Sequence, residues 1–197
     1  MNLHYWDVCL GNKLFNLNNA FVNLITHHNK GIPDNIGEIL NNQWVNFIQF
    51  NFYIESFYSL FFSIKDVILQ ILNVFYSLEL KEKRDGNKKI KEVSFNAILQ
   101  HDKIKKNTNL IEILTNFQTE TRIASNYRNN ITHSYPDNFP NHRIQVYKDE
   151  SGNKKYGFHS GEYTKASIFI KNTYDSLQSL YSYINNLKVE FSVATKG

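Results

Sequence analysis

A chain of 197 residues with 42% hydrophobic and 20% charged residues is long enough to bury a core and too apolar for disorder. Its single cysteine, Cys9, excludes an internal disulfide and a Cys-based zinc site. The net charge of +4 is held unevenly: nine basic residues against four acids between Lys81 and Lys106 give that stretch +5 and leave −1 for the rest. Such a local patch suits a polyanion such as RNA, or a solvated connector.

In chain order, Asp7 and Gly11-Asn12-Lys13 interrupt the opening before an apolar leader develops, so no signal peptide is expected. Leu14, Leu17, Phe21, Leu24, Ile25 and His28 recur at helical steps and predict a helix over Lys13–Asn29, stopped by Gly31 and Pro33. From Ile36 to Leu80 there is no proline, and no glycine after Gly37. About 45 helical residues would span roughly 65 Å, too long for one compact domain, so a bend or break is expected near Ser56 to Ser63. The stretch Val45–Leu80 carries Asn46, Gln49, Asn51, Glu55, Lys65, Asp66, Gln70 and Asn73, and is read as core helix rather than a membrane span. Trp44, Tyr53, Phe57 and Phe61 fall to the core or to an interface.

Lys81–Lys91 is a charged connector turning at Asp85-Gly86-Asn87, followed by a short helix over about Val93–His101. Asn109 with Glu112 three residues on forms a capping-box pattern for the next helix. Its inner stripe runs through Leu110, Ile113, Leu114, Phe117, Thr121, Ala124, Tyr127 and Ile131. Pro136 and Pro140 end it. Arg143–Phe158 reads as a β-hairpin turning at Ser151-Gly152-Asn153, and a last helix is expected over about Glu162–Leu187. The expected fold is all-α: a helical bundle in one domain over 1–197, with an N-terminal helical extension over about 1–33 and a small β-hairpin insertion over about 143–159.

One segment stands apart, Arg128-Asn129-Asn130-Ile131-Thr132-His133-Ser134-Tyr135. Arg128 continues the apolar stripe, where a cation is costly unless it is ion-paired or faces a cleft. His133 follows where the helix is expected to fray towards Tyr135-Pro136, which would free the chain to aim both side chains into one pocket. His142 and His159 flank the hairpin, within reach of the same pocket or in surface loops. His27-His28 sits near a helix C-terminus, where a cation suits the dipole, and no cysteine or carboxylate cluster accompanies it, so no metal site is assigned.

The Arg-polar-x3-His spacing at the end of an inner helix of a bundle resembles the HEPN superfamily, and the Tyr two residues after the His resembles the Arg-x4-His-x-Tyr form of HEPN toxins paired with a nucleotidyltransferase antitoxin. The resemblance covers the motif and the helical architecture, about Ile36–Leu187; the hairpin departs from it. It implies a metal-independent, cofactor-free endoribonuclease, a toxin or defence effector. His133 would be its general base or acid, Arg128 its phosphate holder and Asn129 the orienting residue. Lys103, Lys105 and Lys106 would bind RNA, Tyr135 would be open to modification by the antitoxin, and the protein would be a cytoplasmic homodimer. The rival is a non-catalytic HEPN-like module that binds a partner protein or nucleotide in a toxin–antitoxin or defence system, or an unrelated helical scaffold.

Overall fold

A computed structural model describes residues 2–34, 38–80, 84–85, 88–89, 93–133, 142–160 and 164–195. The elements are α1 (Leu3–Asn29), a 3-10 turn (Asn41–Gln43), α2 (Trp44–Phe75), β1 (Arg84–Asp85), β2 (Lys88–Lys89), α3 (Phe95–Leu99) and α4 (Asp102–Lys105). They continue with α5 (Thr108–Glu120), α6 (Arg122–His133), β3 (His142–Lys148), β4 (Lys154–Ser160) and α7 (Ala166–Ala194). The chain is an all-α bundle with a β-hairpin, as the sequence predicts.

α1 and α2 form an antiparallel pair, sealed by Phe21 against Phe57 at 6.1 Å and His28 against Phe50 at 5.9 Å between ring centres. α1 starts ten residues earlier than expected. The Asn2 side chain accepts from the Tyr5 N–H at 3.0 Å, and Gly11 lies on an open face where its missing side chain costs no packing. The other end falls where the sequence places it: Gly31 takes φ +94° and its N–H bonds the His28 carbonyl at 3.0 Å.

The break expected near Ser56–Ser63 is absent, and α2 runs unbroken for 32 residues. Nothing in that stretch removes a backbone donor; the Ser56 hydroxyl bonds the Phe52 carbonyl inside the helix at 2.8 Å without interrupting it. The helix stops by a chain reversal after Phe75 instead. Ser77 adopts φ +47°, its N–H bonds the Val74 carbonyl at 3.2 Å, and the Leu78 N–H reaches back to the Asn73 carbonyl at 2.9 Å. The Asn73 side chain then clips Leu80 by both its N–H (3.0 Å) and its carbonyl (2.8 Å).

Asn41–Phe75 is, among the described residues, the one helical stretch long and apolar enough to cross a membrane by length and composition. It is nonetheless the centre of the core: Phe47, Phe50, Ile54, Phe57, Tyr58 and Phe61 are each at most 1% exposed.

The long helix expected from Asn109 is two helices. The cap is Asn107, whose side chain accepts from the Leu110 N–H at 3.0 Å and also donates to Glu190 on α7, so capping and tertiary contact coincide there. The helix then breaks at Thr121, buried at 1%, whose hydroxyl donates to the Phe117 carbonyl at 2.8 Å. α7 begins at Ala166 and runs on to Ala194, past the expected Leu187. Its first turn is capped from a distance: the Asp34 carboxylate accepts from the Ser167 N–H (3.0 Å) and hydroxyl (2.7 Å). Those two bonds hold the Asp34 carboxyl below the usual carboxylate range. α7 locks onto α5 by Tyr183 stacked on Phe117, 4.0 Å apart and 7° from parallel.

The hairpin pairs His142 with Ser160 through Lys148 with Lys154. Its turn is tighter to Asp149 than expected: that carboxylate accepts from the N–H groups of Ser151 (3.0 Å) and Asn153 (2.9 Å), and Gly152 takes φ +81°.

Candidate functional site

α6 is amphipathic, and its inner stripe is where the sequence puts it. Ala124 is fully buried, and Tyr127 packs between Tyr58 of α2 (5.8 Å) and Phe169 of α7 (4.7 Å). Arg128 comes next. It is half-buried and opens onto a cavity of about 310 Å³ between α6 and α2, walled on the α2 side by Glu55, Ser59, Phe62, Ser63 and Asp66.

No carboxylate among the described residues lies within ion-pair distance of Arg128. Its Nη1–H donates to Asn129 Oδ1 at 3.2 Å, and the Thr132 hydroxyl bonds its backbone carbonyl at 2.8 Å. Two carboxylates, Glu55 and Asp66, line the same cavity, and Asp66 feels the charge of Arg128. Burial pushes the Asp66 carboxyl up, and Arg128, then Lys65 and Lys13, pull it back part of the way, leaving it above the ordinary value. Lys13 also bonds the Ser63 hydroxyl on the same wall. The cavity is thus polar and walled by α2, with a cation whose charge is not neutralised by direct pairing.

His133 does not share this cavity. α6 continues to His133 without the expected fraying, and five residues at 3.6 per turn carry the side chain roughly 140° around the axis. His133 is exposed there. Asn129, also exposed, is brought to Arg128 by their hydrogen bond.

The lysines lie elsewhere. Lys103 on α4 donates through Nζ to the carbonyls of Tyr76 (3.1 Å) and Ser77 (2.8 Å), closing the C-terminus of α2, while Lys105 and Lys106 are exposed. Tyr76 is ten residues beyond Asp66, so this basic end lies at least about 15 Å along α2 from the cavity. Tyr135 lies outside the described residues, as do the side chains of His142 and His159 and those of the Lys81–Lys91 connector. His27 Nδ1 lies 3.2 Å from Asn46 Oδ1 and its ring stacks on Tyr53 at 5.7 Å, a helix–helix contact between α1 and α2.

Sequence reasoning missed the α2 wall. Glu55, Ser59, Ser63 and Asp66 recur at helical spacing, a polar stripe on an otherwise apolar helix, and that spacing was the available signal. It missed Lys65 as well. A larger cavity of about 490 Å³ lies among Leu3, Ile68, Phe75 and Phe191; its walls are mostly apolar, with His4, Asp7 and Lys188 as their ionisable members.

The chain is thus an all-helical bundle in which one inner helix presents an arginine to a polar cleft. A family model described as HEPN_Cthe2314-like HEPN matches residues 6–188, and the chain belongs to that family. No curated protein and no solved structure matches the chain.

Proposed function

We propose that the chain is a metal-independent endoribonuclease of the HEPN type, acting as a toxin or defence effector. The observation that carries this reading is Arg128: a half-buried guanidinium on a polar cleft, with no carboxylate in ion-pair contact among the described residues. A half-buried cation with no carboxylate in contact is costly in the free protein, and an arriving anion offsets that cost. A phosphodiester is such an anion, and the planar fork of guanidinium suits it.

In the proposed reaction the ribose 2′-OH attacks its own phosphorus and gives up its proton to a His133 imidazole. The bond to the 5′-oxygen breaks, that oxygen takes a proton from imidazolium, and a 2′,3′-cyclic phosphate remains. Arg128 stabilises the charge gathering on the phosphorane oxygens, and Asn129 fixes the guanidinium by the bond described above. The 2′-OH requirement restricts the substrate to RNA.

With Arg128 and His133 some 140° apart on one helix, the second half of the constellation is assigned to another copy of the chain. We propose a homodimer in which both copies line one cleft. Lys105 and Lys106, with Lys103, hold the RNA backbone away from the chemistry. A nucleotidyltransferase-type antitoxin would modify Tyr135, adding negative charge and bulk beside the cleft. Mass spectrometry of protein co-expressed with such an enzyme is expected to find the nucleotidyl group on Tyr135; modification at another residue, or none, counts against that assignment.

The second reading, a non-catalytic HEPN module that binds a partner protein or nucleotide, is favoured by one observation: the exposure of His133 away from the Arg128 cavity. Incubation of purified protein with RNA in EDTA decides between them. Cleavage by wild type and its loss in His133→Ala supports the nuclease. No cleavage under any condition supports the binding module.

A further inference from the structure

The hairpin of β3 and β4 keeps its tip in solvent on both sides: Val146 is 57% exposed, Tyr147 52% and Tyr156 71%. A two-stranded hairpin left to itself is marginal in water. The register sorts its side chains, because opposed residues lie on one side of a hairpin and the sides alternate along each strand. On one face Tyr147 opposes Lys155, with Gly157 beside them. That face is closed on itself. The Tyr147 ring lies across Gly157, so close that a methyl group there would stand 3.0 Å from it, and Lys155 pairs with Asp149 at 3.4 Å.

The other face is open. It carries Val146 opposite Tyr156 and, next along, Lys148 opposite Lys154. Like charges directly opposite each other destabilise a hairpin. No carboxylate among the described residues is within ion-pair distance of either lysine. Asp149, the next residue after Lys148, is turned instead to the N–H groups of Ser151 and Asn153 and to Lys155. The face thus lacks an anion at one end and a cover for an aromatic ring at the other. A phosphate between the lysines offsets their repulsion, and a base laid on Tyr156 covers the ring. One nucleic acid strand brings both, and stacking on tyrosine tolerates any base. An added β-strand would bring neither, and lysines on both strands oppose such edge pairing. The hairpin follows α6, the helix of Arg128, after residues 134–141, a stretch that reaches at most about 30 Å.

Resting on the reading of RNA as the substrate of the Arg128 cleft, we infer that this open face is a second contact for single-stranded RNA, with a base stacked on Tyr156 and the adjoining phosphate held between Lys148 and Lys154. It holds the strand outside the cleft and takes no part in the chemistry. Neither contact needs a 2′-OH, so the hairpin binds single-stranded DNA as well, which the cleft does not cut.

The test uses the full chain with a labelled oligodeoxythymidylate and a labelled DNA duplex, followed by fluorescence anisotropy over a range of salt. Tyr156→Ala is expected to weaken binding of the single strand roughly tenfold, the contribution of one base stack, and to leave the duplex unaffected; Tyr156→Phe is expected to keep both. Lys148→Gln with Lys154→Gln is expected to lower the slope of log K against log salt by about 0.7, the share of one phosphate of a single strand. Lys155→Gln, on the closed face, is expected to leave that slope alone. All these side chains are exposed at the hairpin tip, so the helical core is not at stake. No binding of the oligomer by wild type overturns the inference. So does a Tyr156→Ala protein that binds the single strand like wild type, or that weakens on both probes alike, and so does a slope unchanged without Lys148 and Lys154. A Tyr156→Ala protein that sediments as a monomer where wild type is a dimer also overturns it, by giving the face to a second copy. The two readings fail separately. RNA cut equally by wild type and Tyr156→Ala below saturation leaves the nuclease standing and removes the hairpin contact. Oligomer binding that depends on Tyr156, with no RNA cut under any condition, keeps the hairpin contact and removes the nuclease.

Discussion

Arg128→Ala separates a functional arginine from a structural one. Among the described residues the guanidinium makes one neutral hydrogen bond, to Asn129 at 3.2 Å, and shares its cavity with Asp66 without pairing. Losing the hydrogen bond costs about 0.5–1.5 kcal/mol. Losing the attraction to Asp66 costs at most about 1 kcal/mol in a solvent-open cleft. Relief from holding a half-buried cation runs the other way. The net change is therefore within about 1 kcal/mol, or about 2–4 °C in melting temperature for a chain of this size. Against this, removing one donor that stabilises developing charge costs about 10²–10³ in rate. The assay pairs thermal unfolding by circular dichroism with cleavage of labelled RNA in EDTA. A melting temperature lowered by ten degrees or more would show that Arg128 holds the bundle together. Undiminished cleavage would remove it from the chemistry.

Sedimentation at micromolar concentration is expected to give a dimer, and a monodisperse monomer sinks the shared cleft. Ser77→Gly is expected to stabilise the protein by about 1 kcal/mol, because φ +47° strains serine and not glycine; urea titration measures it, and a destabilised variant refutes the assignment of strain. Burial raises the phenol groups of Tyr58 and Tyr183 above the ordinary value. The unfolded chain then releases protons near pH 10 that the folded chain keeps, so stability is full below about pH 10 and falls as pH rises beyond it. Lys65 works in the opposite sense, since its lowered basicity adds stability as pH rises towards the unfolded lysine value. Unfolding between pH 8 and 11 is expected to show a net loss that Tyr183→Phe reduces; an unchanged slope in that variant refutes the contribution of Tyr183.

What was legible in the sequence divides along local and tertiary causes. Gly31 with Pro33, the hairpin at Gly152 and the stripe through Phe117, Ala124 and Tyr127 are written in neighbouring residues, and the structure has them all. The misplaced boundaries share another origin. Asn107 wins the cap from Asn109 because Glu190, more than eighty positions later, accepts its amide. Thr121 breaks the helix with neither glycine nor proline, held between the Phe117 carbonyl and the Lys65 ammonium of a different helix. α7 is capped by Asp34 from the far side of the chain.

The same division runs through the candidate site. Arg128 was visible as a cation out of place on an apolar stripe, a local contradiction that needs no partner to be noticed. Its cleft was not, because Glu55, Ser59 and Asp66 acquire meaning only once α2 lies against α6. Nor was the separation of His133 from Arg128, which depends on whether the last turn of α6 stays helical. That one turn sets the demand on a second copy. Kept helical, it sends the imidazole away from its own guanidinium, and the proposed dimer answers this by drawing the two groups of one cleft from two chains. A variant that unwinds the turn without touching either side chain, Thr132→Pro, removes the Thr132 backbone donor and the hydroxyl bond to the Arg128 carbonyl together. If two intact helix ends must face each other, that change abolishes cleavage while leaving the fold of α1, α2 and α7 in place. Cleavage that survives it would place both groups in one chain.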